Sequence, residues 1–210
     1  MEDVMDNAFI DVFESLGAII RGGHFSYSSG FHGSTYINKK AIFKNQDIAY
    51  RLCREIAARF KDDSVQTVIG PAVGGAIVAQ LTAQAMTEYD KESQISPALV
   101  HSVRANKAPN KKFIITGEFD GLIRKRRVLI VEDVLNTGAS LKGVADIVRE
   151  INGVIVGAGA LFNRGGVTKE ALGVPKLYSL IEMRLETWPK DVCTMCKENI
   201  PINTQFGRGI

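Results

Sequence analysis

The segment VLIVEDVLNTGAS, residues 128–140, narrows the range of available folds more than any other stretch of this chain. Four apolar residues in succession, Val128 to Val131, cannot alternate between a wet and a dry face, so they suit a strand covered on both sides. The strand runs into two adjacent carboxylates, Glu132 and Asp133, and a small-residue turn then opens the helix pattern ASLKGVADIVREI. Another unbroken run, VIVGAGALF at 154–162, repeats the theme. From residue 65 onward the pattern alternates: strand 65–70, loop and helix 71–86, strand 96–103, strand 126–133, helix 139–151, strand 153–163 and strand 176–185. The expected class is α/β, a central mainly parallel sheet flanked by helices. Ligands of such sheets bind beyond the carboxyl ends of the strands, which puts the loops 70–75 and 133–140 on one rim.

Ahead of this pattern, Phe9, Ile10, Phe13, Leu16 and Ile20 recur at helical spacing and predict an amphipathic helix over 6–20 with Asp6 as its N-cap. Residues 21–43, rich in Gly, Ser and aromatics, predict turns and short strands before a helix at about 47–60. With 210 residues, 45% of them apolar, the chain can bury a sizeable core, as one compact domain or two small ones. A net charge of +3 suits a polyanionic small molecule and falls short of a nucleic-acid-binding signature. No apolar run approaches the roughly 18 residues of a membrane span, and the acidic N-terminus is unlike a secretory signal, so a cytoplasmic, soluble protein without a membrane partner is expected. Cys53 stands alone. Cys193 and Cys196 form one C-x-x-C with neither a second pair nor a nearby His in sequence, and are read as metal-free structural thiols; His24 and His32 are assigned loop or packing roles.

On the rim, the backbone N–H groups of Asn136, Thr137, Gly138, Ala139 and Ser140 can converge on one anion at a helix N-terminus, with hydroxyls from Thr137 and Ser140. A phosphate monoester fits such a cup. Glu132 and Asp133 then need a partner of their own, which vicinal sugar hydroxyls and a hydrated Mg²⁺ provide. A phosphate beside a diol describes a ribose 5-phosphate, and VLIVEDVLNTGAS resembles the phosphoribosyl pyrophosphate signature of the type I phosphoribosyltransferases. The resemblance implies that family's fold, with Glu132 and Asp133 catalytic, and Mg²⁺ carried by the substrate and touching either acid only through water. It also implies that VIGPAVGGAIVAQ is the pyrophosphate loop, with Pro71, Ala72 and Gly74 at the substrate. Between the loops, Arg104, Lys107, Lys111 and Lys112 lie on a segment, about 103–120, that is expected to be mobile and to close over the leaving group; a solvated basic hairpin is the plainer alternative. Orotate members of the family carry R-K-x-x-K here. Ala105 follows Arg104, so Arg104 and Lys107 are the candidate cations.

Further matches extend the resemblance to orotate phosphoribosyltransferases over nearly the whole chain. GGHFSYSSGFHGSTYIN is similar to a hood motif at Gly23, Phe25, Ser29, Gly30, Ser34, Tyr36 and Asn38, and CTMCKENIP to a tail motif. This implies a hood over the base at 1–45, a core at 46–185 and a tail at 186–210 packing near the hood. It further implies base contacts from Tyr36 and Ile37, an orotate-binding Arg164, and a homodimer. Two departures stand out: Asn163 replaces an acid, and Ser28 a lysine. The implied reaction joins phosphoribosyl pyrophosphate and orotate. The alternatives are transfer to another nucleobase, a non-catalytic regulator that keeps the sugar-diphosphate site and binds RNA or a partner, and a dinucleotide-binding oxidoreductase, which the absence of G-x-G-x-x-G disfavours.

Overall fold

The computed structural model describes residues 2–27, 29–93 and 99–207. They divide into two compact units, Gln46–Met183 and a smaller one built from Met1–Asn45 with Arg184–Ile210. The smaller unit begins with α1 (Glu2–Ser15), an antiparallel hairpin of β1 (Ile19–Ser26) and β2 (His32–Ile37), and α2 (Lys39–Phe43). The first helix lies four to five residues upstream of the expected 6–20. Asp6 is therefore interior and not an N-cap, and Ile20 belongs to β1. The helix closes where the N–H groups of Gly17 and Ala18 turn back to the carbonyls of Glu14 and Phe13 (2.9 and 2.8 Å). The apolar spacing had run on across that turn into a β-branched pair, Ile19 and Ile20, that pairs with Ile37 and Tyr36.

The larger unit contains α3 (Gln46–Arg59), β3 (Thr67–Pro71), α4 (Gly74–Ser93), β4 (His101–Lys107), β5 (Phe113–Ile114), β6 (Arg127–Leu135), α5 (Ala139–Glu150), β7 (Val154–Asn163), α6 (Lys169–Leu172) and β8 (Leu177–Glu182). The sheet order is β5-β4-β3-β6-β7-β8, parallel throughout except for β5. The unbroken apolar runs occupy its centre: every residue of β3 is buried, as are Val156 to Asn163 of β7. Leu141, Val144, Ala145 and Val148, one stripe of α5, pack on Ile69, Val128, Ile130 and Ala158. On the other face a β-carbon at Gly159 would collide with Ile56 of α3, so strand alternation assigns α3 and α5 to opposite sides of β7.

Other element boundaries also differ from the sequence reading: β3 is shifted to 67–71 from 65–70, and α4 continues to Ser93 instead of ending at 86. Strand β4 covers 101–107 instead of 96–103, and residues 96–98 lie outside the described residues. Val103 and Ala105 are buried while Ser102 and Arg104 are exposed, so a period-two pattern continues through what looked like a basic loop. Strand β6 runs two residues beyond the acids because Val134 and Leu135 keep their pairing with Phe162 and Asn163. The last strand stops at Glu182 instead of 185.

The chain then returns to the smaller unit. Trp188 and His32 exchange backbone hydrogen bonds (2.9 and 2.7 Å), α7 (Thr194–Lys197) follows, and the N–H of Asn203 donates to the carbonyl of His24 (2.7 Å). Phe13, Phe25, Ile37, Ile42 and Cys193 are buried here.

Candidate functional site

The sheet order creates a switch point. The connection leaving β3 passes through α4 to β4, whereas that leaving β6 passes through α5 to β7 on the other side. The connections above β3 and β6 therefore leave to opposite sides, the arrangement at which open α/β sheets bind their ligands. Both loops singled out in the sequence lie at this point.

Asp133 lies within β6, on the side occupied by α4. Its carboxylate rests against Gly74, the first residue of α4, where any β-carbon would overlap Oδ2. The residue is 3% exposed, and Oδ1 accepts the N–H of Val134 (2.7 Å). A carboxylate at the start of a 20-residue helix benefits from the positive end of the helix dipole. Glycine at 74 is thus a condition for the two loops to meet. Neighbouring strand residues project to opposite faces, so half-buried Glu132 does not share Asp133's side of the sheet.

Three residues beyond the end of β6, Gly138 takes φ +74° as the N-cap of α5, a left-handed conformation that favours glycine, and no side chain caps the helix there. Its carbonyl accepts the N–H of Lys142 (2.8 Å) and starts the helical ladder, while Thr137 Oγ1 weakly accepts the N–H of Ala139 (3.4 Å). The first-turn amides of a helix lack intrahelical acceptors. Asn136, Thr137 and Ala139 are exposed, and Ser140 is half-buried. An anion can reach this terminus directly from solvent.

Arg164 arrives from the end of β7. Its backbone N–H donates to Leu135 O (3.0 Å), and its Nε donates to Asn136 Oδ1 (3.3 Å), joining it to the loop above β6. Behind it, the amide of Asn163, 2% exposed, donates through Nδ2 to Val167 O (2.8 Å) and accepts the N–H of Val167 through Oδ1 (3.0 Å). Both bonds need an amide, because a carboxylate cannot donate to the carbonyl. The residue that marks a departure from the resembled pattern is what closes this turn.

In the loop above β3, Pro71 and Gly74 are buried and Ala72 is exposed, with its N–H donating to Ala105 O (2.8 Å). Arg104 pairs in register with Gly70 and borders a shallow cavity of about 400 Å³ shared with Val73, Gln80, Thr116 and Phe119. Lys107 points to the other side of β4, its ammonium 5.7 Å from the ring centroid of Phe113. The structure therefore separates these two cations. The segment containing them folds as a hairpin, closed by Ala108 N–H to Lys112 O (2.8 Å) and by the β4–β5 pairs Asn106 with Ile114 and Lys107 with Phe113.

Tyr36 and Ile37 belong to the smaller unit. The Tyr36 ring lies between Phe25 and Phe206, with centroids 5.6 and 5.7 Å away, and Ile37 is buried. Ser28 lies outside the described residues.

Residues 35–194 match the family model of the phosphoribosyl transferase domain. The orotate phosphoribosyltransferase of Caldanaerobacter subterraneus subsp. tengcongensis is 35% identical over 193 residues, covering 92% of this chain and 93% of that protein. That of Chlorobium phaeobacteroides is 32% identical over 205 residues, covering 97% and 96%. Among solved structures, Mycobacterium tuberculosis orotate phosphoribosyltransferase in complex with Fe(III) dicitrate superposes with a TM-score of 0.63 at 18% identity, over 85% of this chain and 96% of that one. At that identity the superposition shows a shared fold.

Proposed function

The chain belongs to the phosphoribosyltransferase family, and from that membership we propose that it transfers the phosphoribosyl group of phosphoribosyl pyrophosphate to orotate, giving orotidine 5′-phosphate and pyrophosphate. The observation that carries this reading is the convergence, at one switch point, of an exposed helix N-terminus, an acid-bearing strand end and a glycine-dependent loop seated on Asp133.

The amides of Gly138, Ala139 and Ser140, with the side chains of Asn136 and Thr137, bind the 5′-phosphate. Glu132 and Asp133 hold the ribose hydroxyls. As the glycosidic bond lengthens, positive charge builds on the ribose, and two fixed negative charges favour that state over the ground state. Pro71, Ala72 and Gly74 bring backbone to the diphosphate, and Arg104, which shares a cavity with Val73 of that loop, neutralises the departing pyrophosphate; a part for Lys107, on the other side of β4, rests on the resemblance alone. Arg164 pairs with the orotate carboxylate, its guanidinium oriented by Asn136. The roles of Tyr36 and Ile37 at the base, and of residues 1–45 and 186–210 in choosing it, rest on the resemblance alone.

Asp133 is almost fully buried with one oxygen already accepting a hydrogen bond, and Glu132 is half-buried. Such oxygens suit a hydrated magnesium ion reached through water better than one ligated directly. Bound with the sugar diphosphate, Mg²⁺ would offset the charge of the leaving group. We further propose a cytoplasmic homodimer. Among the described residues, no helix is long and apolar enough to cross a membrane.

The test is product analysis with phosphoribosyl pyrophosphate, Mg²⁺ and a panel of bases. Orotidine 5′-phosphate formed with orotate alone is the expected outcome; turnover only with another base would move the assignment to that acceptor. Tight binding of the sugar diphosphate without turnover of any base would favour the regulator. Asp133→Asn should lower turnover by orders of magnitude, and near-normal turnover would remove that residue from the mechanism.

A further inference from the structure

The smaller unit gathers four metal-ligating side chains from distant parts of the chain: His24 on β1, His32 on β2, and Cys193 and Cys196 at α7. One nitrogen or sulfur from each lies within 4.8 Å of all the others. His24 Nε2 is 2.8 Å from His32 Nδ1 and 3.7 Å from both Cys193 Sγ and Cys196 Sγ, and Cys196 Sγ is 3.3 Å from His32 Nδ1. Both imidazoles are 2% exposed, and Cys193 is fully buried.

The hydrogen bonding orients the set toward one point. His24 Nδ1 is 2.7 Å from the carbonyl oxygen of Ile200, which can only accept, so this nitrogen carries the proton. His24 Nε2 therefore presents a lone pair to His32 and the two sulfurs. A ligating histidine held through its other nitrogen by a backbone carbonyl is the usual supporting arrangement at protein metal sites.

We propose that His24, His32, Cys193 and Cys196 bind a structural zinc ion. A tetrahedral zinc with Zn–N of about 2.0–2.1 Å and Zn–S of about 2.3 Å sets nitrogen and sulfur roughly 3.5 Å apart. The observed 3.7, 3.7 and 3.3 Å bracket that separation. The two nitrogens, 2.8 Å apart, need to open to about 3.3 Å. Thiolates and imidazoles select zinc over magnesium, and four protein ligands leave no position for a reacting water, so the site is closed and non-catalytic. Its effect is to fasten the hairpin to a segment about 170 positions away in sequence. A small unit built from both ends of the chain gains much from such a staple. Adjacency in sequence hides the site: the C-x-x-C has no neighbouring histidine, and its partners come from the opposite end of the chain.

The test begins with elemental analysis of the full chain purified without chelator. About one zinc per chain is expected. The wild-type protein reloaded with Co²⁺ should show intense thiolate-to-cobalt charge transfer and the strong visible bands of tetrahedral cobalt. Cys196→Ser and His32→Ala should lose both signals, whereas Cys53→Ala should retain them. Wild-type protein that holds under about a tenth of an equivalent of metal, and gives no cobalt spectrum, would show a metal-free thiol–imidazole network and overturn the proposal. Stoichiometric iron, or a weak octahedral cobalt spectrum, would overturn the zinc assignment as well. The wild-type measurements do not depend on any variant folding, and none depends on turnover of orotate.

Discussion

The two units solve the problem of a buried core by different means. In Gln46–Met183, strands and helices that follow one another in sequence bury each other, and β3, β6 and β7 supply a continuous apolar centre. Its buried Asp133 and Asn163 lie toward the carboxyl ends of β6 and β7. The smaller unit has a short hairpin and a few buried aromatics, and it gathers four metal-ligating side chains, three of them buried. Apolar area suffices where many strands stack; where it is scarce, polar groups from both ends of the chain take over the work of closure. The first arrangement leaves loops available for chemistry, and the second commits its reactive side chains to structure.

Truncation at the centre of the sheet gives the largest expected effect. Leu129→Ala should destabilise the larger unit by about 2–5 kcal/mol, since the residue is fully buried in β6. Hydrogen exchange monitored by mass spectrometry should show the loss in peptides from β3, β6 and β7. Equal loss throughout the smaller unit would mean that the two are not separately stabilised. Next comes Gly74→Ala, which drives a methyl group into the Asp133 carboxylate. Overpacking costs about 1–3 kcal/mol, and displacement of Asp133 by about 1 Å can cost on the order of 100-fold in turnover. A Gly74→Ala enzyme with wild-type kcat would show that the contact has no part in activity.

Asn163→Asp is smaller in reach. It keeps the acceptor for the Val167 N–H but leaves the Val167 carbonyl facing a carboxylate, at a cost of about 1–3 kcal/mol. The penalty should shrink at acid pH, where the protonated carboxyl can donate. Denaturation midpoints of wild type and variant across pH provide the check; a constant gap would show that the donor is dispensable.

The difference between the units also decides what could be read from sequence. The βα alternation is local, so the unbroken runs at 128–131 and 154–162 revealed the sheet, and Asn136 to Ser140 revealed the helix N-terminus above it. Opposite projection of Glu132 and Asp133 was hidden because β6 continues to Leu135, which only its pairing with β7 explains. In sequence Arg104 and Lys107 read together as loop cations, yet β4 carries them on opposite sides. Asn163 looked like a loss until its amide was seen to need both donor and acceptor. The cluster at His24, His32, Cys193 and Cys196 left no local trace, because its geometry depends on contacts between the two ends of the chain.

The cysteines allow the finest comparison, through reactivity instead of stability. Cys53 sits on α3 with no exposed surface, and burial pushes its thiol up to about 12. Reaction with a disulfide reagent requires thiolate, and at pH 8 that shift leaves on the order of one molecule in 10⁴ ionised, even before access is considered. Its silence should therefore survive any treatment that leaves the larger unit folded. Cys193 and Cys196 are protected for a different reason if zinc holds them, and a strong chelator should expose them. Labelling native protein, chelated protein and denatured protein in turn should release zero, two and three thiols per chain. Reaction of Cys53 alongside the pair after chelation would show that loss of the staple loosens the α/β core, and the division of labour between the units would fail at that point.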